Sequence, residues 1–166
     1  MDDDDKKISE LDYFEVHVQL QILEHIADKG PLSEGDMALQ RELEERDKVL
    51  IQEKRGQAFD AARAPDKEAW DAASKQPEFA ETADALARSH LREDMELIDK
   101  QKQDAEKFGP SKGLDDMQAQ ERKIHAQHFD EERGRQAREF LEQRKLAEEL
   151  ESKEHGAAKD KGHEFS

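Results

Sequence analysis

The chain is 166 residues long, 42% charged and 34% hydrophobic, with a formal net charge of -16. It has no cysteine, which excludes disulfides, a thiol nucleophile and a cysteine-ligated zinc site, and favours a cytoplasmic location. No apolar run approaches the roughly 20 residues that cross a bilayer, and the surplus of acid disfavours nucleic acid while favouring a basic protein as partner.

So polar a composition borders on that of disordered chains. Placement argues otherwise, because the scarce apolar residues recur at three- and four-residue intervals within runs rich in Glu, Gln, Lys, Arg and Ala. The expected fold class is all-α: an elongated antiparallel bundle of three to four helices spanning residues 8–153, with a protruding, coiled-coil-like C-terminal helix.

Residues 1–7 form an acidic start, either a disordered native extension or the remnant of a protease-cleavage tag, since Asp2 to Lys6 have that form. From Ile8 to about Asp28, Leu11, Phe14, Val18, Ile22 and Ile26 follow one helical face, and Val16, Leu20 and Leu23 follow a second. Strict alternation from Phe14 to Ile22 would also suit a strand, but the pattern continues in helical phase through Ile26, and no other segment reads as a strand to pair with it. Ser9 is the candidate cap. Apolar over so wide an arc, this helix is expected at the centre of the bundle, touched on more than one side.

Gly30-Pro31 ends it. Ser33 with Asp36 resembles a capping box and opens a second helix, expected from about Glu34 to Ala62 with Leu39, Leu43 and Leu50 as its stripe and Gly56 inside it. Between Pro65 and Pro77 lies a short alanine-rich segment carrying Trp70. A third long helix spans Glu78 to Lys107, where Ala80, Ala83, Ala87 and Leu91 make a face that permits close approach. The Gly109-Pro110 loop precedes a last helix from Leu114 to about Lys153, bent or interrupted at Gly134. Residues 154–166 read as a disordered tail.

No constellation of residues adds up to catalysis. His125 and His128, with Glu131 or Glu132 one turn on, have spacing compatible with a metal, but two ligands and a neighbour do not make a site. His90-x-x-Glu93 reads as an ordinary charged surface. The Glu-x-x-His pattern of carboxylate-bridged bundles, the phosphate-binding glycine loops and Gly-x-Ser-x-Gly are all missing, and Ser33 and Ser111 suit helix starts. No cofactor or metal is expected.

The reading that remains is a noncatalytic protein-protein interaction module, such as an adaptor, assembly factor or inhibitor, acting on a protein partner or on a second copy of itself. Its candidate partner-binding residues are Phe129, Phe140 and Leu141 on the last helix and Trp70 between the prolines. Packing within the chain is the competing role for all four. The alternatives are a ligand- or metal-handling bundle, enzymatic in the extreme, and a nucleic-acid-associated helical protein.

Overall fold

A computed structural model describes residues 6–164, with side chains placed for 6–155. Its elements are five α-helices: α1 (Tyr13–Lys29), α2 (Glu34–Arg55), α3 (Ala64–Ser74), α4 (Ala80–Phe108) and α5 (Lys112–Glu164). Among the described residues three 3-10 turns punctuate them, at Ile8–Glu10, Ala61–Arg63 and Pro77–Phe79. The count exceeds the three to four helices expected because the Trp70 segment is a helix of its own, opened by Pro65 in its first turn. No strand occurs among the described residues, and the alternating segment Phe14 to Ile22 is helical. None of these helices is long and apolar enough to cross a membrane.

Helix boundaries follow local chemistry. Ser9 does not cap α1, because Ile8–Glu10 closes its own 3-10 turn and the chain extends again at Leu11. Asp12 caps instead: its carboxylate accepts from the Glu15 N–H at 2.8 Å, and the Glu15 side chain accepts from the Asp12 N–H at 3.3 Å. Ser33 caps α2 by accepting from the Asp36 N–H at 3.1 Å. That helix stops at Arg55, short of Ala62: Gly56 donates its N–H to the Gln52 carbonyl at 3.0 Å, and Gln57 donates to that of Lys54 at 3.1 Å, a tightened final turn. Gly109 terminates α4 at φ 72°, the left-handed conformation that glycine adopts without a steric penalty. Ser111 then accepts from the Leu114 N–H at 3.1 Å and opens α5. This last helix is unbroken through Gly134 and continues to Glu164, into the segment 154–166 that composition assigns to a tail. Residues 1–5, which hold most of the acidic start, lie outside the described residues.

The described residues gather into two compact units. The first contains the chain up to Ala58 together with Thr82–Ile124. Leu11, Val16 and Leu23 of its N-terminal part bury against Leu43 of α2, and Tyr13 packs with Ile51, Ala87 and Leu91. Ala83 and Ala87 are fully buried, as expected of a small-residue face. Long side chains complete what the thin core leaves open: Arg46 donates to the Leu11 carbonyl at 3.0 Å, Lys54 to Asp94 at 2.6 Å and Arg55 to Asp84 at 2.9 Å. Between α4 and the start of α5, Gln101 donates its amide to the Gln118 carbonyl at 3.0 Å, and Gln118 returns the bond to the Gln101 carbonyl at 2.8 Å.

The second unit contains Phe59–Glu81 and the chain from His125 onward. Its interior is aromatic: Trp70 meets Phe79 edge-on at 5.5 Å, and Phe79 meets Phe140 at 5.0 Å. Among these rings lies Arg133, wholly buried, its guanidinium carbon 3.6 Å from the centre of the Phe59 ring and 4.2 Å from that of Phe129. Burial pushes the guanidinium down from its ordinary value, and Asp130, accepting from it at 2.7 Å, opposes that push. Asp130 also accepts from the Asp60 N–H at 3.1 Å.

Candidate protein-docking face

Helix α1 is the most apolar helix of the chain, and only part of its apolar surface is used. Leu11, Tyr13, Val16 and Leu23 are buried. Phe14, Val18, Ile22 and Ile26, at successive four-residue steps, form a ridge in solvent, with Phe14 63% and Ile22 55% exposed. The expectation of a central helix covered over its whole apolar arc is therefore corrected: the first unit has too few neighbours to cover both arcs. Single exposed apolar side chains are ordinary, but an aligned row on one helix is a candidate contact surface.

Beside the N-terminal half of this ridge runs a groove of about 660 Å³ between α1 and α4. Phe14, His17 and Gln21 line it from α1, and Met95, Ile98 and Lys102 from α4. Ile98 is itself 55% exposed, so the groove has an apolar lip on each side.

A polar cluster holds the groove wall in place. The Nε2 atom of His17 lies 2.9 Å from Asp47 Oδ1, and Arg88 donates to both Asp47 oxygens at 3.2 and 2.9 Å. Arg88 also approaches the Tyr13 hydroxyl at 3.4 Å, and the Tyr13 and His17 ring centres lie 4.2 Å apart with their planes tilted by 45°. Three helices are thereby tied by one carboxylate. Arg88 engages both Asp47 oxygens, so the carboxylate serves as an anchor between helices.

Burial alone would raise the Asp47 carboxyl, but the hydrogen bonds from Arg88 and His17 outweigh it and hold the group below its ordinary value. Because the folded value is depressed, the stabilisation is complete above the unfolded value near 3.8 and is lost as pH falls through the folded value. Asp47→Asn should destabilise the protein at pH 7 by about 1.5–3 kcal/mol, and the gap to the wild type should narrow at pH 3. Urea unfolding of both proteins at the two pH values checks this; a gap that does not change with pH would show that the carboxylate's charge is not what ties the helices.

The residues singled out in the sequence fall elsewhere. Trp70 and Phe129 are buried in the second unit, while Phe140, against Phe79, and Leu141 are half-buried. Two of the four are thus packing residues of that unit, and two keep part of their surface in water. His90 does not lie on a charged surface; it is buried, with Nδ1 3.5 Å from Asp94 Oδ1. The sequence singles out none of the cluster: the four-residue spacing of Tyr13 and His17 is its one local signal, whereas Asp47 and Arg88 lie 41 positions apart and nothing local links them. No family model, curated protein or solved structure matches this chain.

Proposed function

We propose that this chain is a noncatalytic interaction module, an adaptor, assembly factor or inhibitor, that docks a protein partner on the exposed ridge of α1 and the groove beside it. The observation that carries the reading is the row Phe14, Val18, Ile22 and Ile26, left in water by a protein with little apolar material to spare. Such a row is costly to leave uncovered, at about 25 cal/mol per Å² of apolar surface, and covering it is the usual driving force of association. The supporting scaffold is an antiparallel bundle of α1, α2 and α4, for which the short Gly30–Ser33 connection between the first two is the main support. A cysteine-free, acidic chain suits the cytoplasm. Phe140 and Leu141, half-buried on α5, provide a second and smaller contact, in keeping with a coiled-coil-like role for that helix.

A photo-crosslinking amino acid placed at Val18 should yield a discrete protein adduct in extract of the source cells, identified by mass spectrometry. The same group at Lys48, whose side chain is 72% exposed, should yield none. Equal labelling at both positions, or no adduct at Val18, would count against α1 as the docking face.

A further inference from the structure

Resting on the reading of α1 as a docking face, we infer that the occupant is an amphipathic helix with basic flanks. The length of the site suits a helix. From Phe14 to Ile26 the ridge runs about 18 Å along α1 at 1.5 Å per residue, more than three turns, and apolar anchors at three- and four-residue intervals on a partner helix would meet it throughout. The groove between α1 and α4 offers the lane in which such a helix would lie, with Phe14 and Ile98 as lips.

Charge selects among helices. The stretch Val16 to Leu23 contains no Asp, Glu, Lys or Arg, in a chain where 42% of residues are charged. This uncharged strip is bordered by exposed Glu24 and Asp28 on α1 and by exposed Glu96 and Asp99 on α4. Lys29, Arg92 and Lys102 offset these only in part, and the whole chain adds a net charge of -16. A partner helix with Lys or Arg beside its apolar face would meet acid on both borders. A second copy of this chain would instead bring acid against acid and double the net charge, a like-charge cost that grows as salt is lowered.

The test uses the full chain and two labelled synthetic peptides of about 18 residues, sharing leucines at three- and four-residue spacing and differing only in Lys or Glu at the flanking positions. Fluorescence anisotropy at low salt should show the Lys peptide binding at least about ten-fold more tightly than its Glu twin, a preference of about 1.4 kcal/mol, and the preference should shrink at about 0.5 M salt. Val18→Gln with Ile22→Gln should weaken the Lys peptide at least about ten-fold while circular dichroism stays unchanged. Ile98→Gln, on the opposite lip, gives an independent reading should the first variant lose helicity. Equal binding of the two peptides would overturn the basic partner and leave docking on α1 intact. Binding by neither peptide would overturn the inference, as would sedimentation showing a dimer that Val18→Gln with Ile22→Gln dissolves; in that last case α1 would still be the docking face, with a second copy as its occupant. Docking on α1 itself would fail if the Lys peptide bound equally to wild type and to both variants.

Discussion

Replacing Arg133 with alanine should destabilise the second unit by about 3–5 kcal/mol, the loss expected when one member of a buried ion pair is removed and the other stays behind. The guanidinium is wholly buried, stacked on Phe59 and Phe129 and bonded to Asp130. Its removal leaves both a cavity among the rings and a carboxylate in a dry place. The charge can be separated from the volume. In Arg133→Met with Asp130→Asn, the amide oxygen can still accept from the Asp60 N–H, and methionine can fill the space among the rings. That double variant, which removes both charges together, should lie within about 1.5 kcal/mol of the wild type. The chain's single tryptophan, Trp70, has its ring centre 5.7 Å from the Arg133 guanidinium carbon, so denaturation followed by its fluorescence reads the site directly. A loss under about 1 kcal/mol in Arg133→Ala would show that the pair is dispensable.

Gly134→Ala should also destabilise, by roughly 2 kcal/mol, although alanine is the better helix former by about 1 kcal/mol. The reason is Asp66 of α3. A Cβ at position 134 would lie 2.6 Å from the Asp66 Cβ, with the carboxylate crowded against it as well. Asp66 cannot simply turn away, because it is buried and accepts from Arg138 at 2.5 Å. The sign should reverse in an Asp66→Gly background, where the obstruction is gone and helix propensity alone remains. Thermal melts of the four proteins of this cycle measure the coupling. Additive effects would mean that the close approach of α3 and α5 is not what requires glycine.

What the sequence made legible was punctuation. Gly30-Pro31, Ser33 and Gly109-Pro110 mark helix ends because their effects are local, acting through one dihedral or one hydrogen bond. Gly56 reads as interior to a helix and Gly134 as a bend or break in one, yet α2 stops at Gly56 while α5 runs unbroken through Gly134, where the missing side chain admits Asp66. Only the second depends on something distant in the chain. Periodicity showed two apolar arcs on α1 but could not say which would find a neighbour, since that depends on how many helices are available to cover them. The site suffered most. Arg133 and Asp130 sit in the charged run Asp130-Glu131-Glu132-Arg133 that reads as wet surface, so Phe129 reads as an anchor in need of a cover. Arg133 is part of that cover, and a long aliphatic stem ending in a planar cation makes it as suited to stacking on rings as to water.

The two glutamines that join α4 to α5 bear on alignment rather than strength. Apolar contacts are non-directional, so a thin seam of small side chains loses little if one helix slips past the other by a turn. The exchanged bonds between Gln101 and Gln118 allow no such slippage, because a shift of one residue in either direction parts each amide from its carbonyl and leaves a nearly buried side chain without its bonds. Arg122, donating to the Gln101 side-chain oxygen at 3.0 Å, closes off the remaining freedom of that amide to flip. In a protein with little apolar volume, polar pairs of this kind act as the registration marks that tell one helix where to stop along the next.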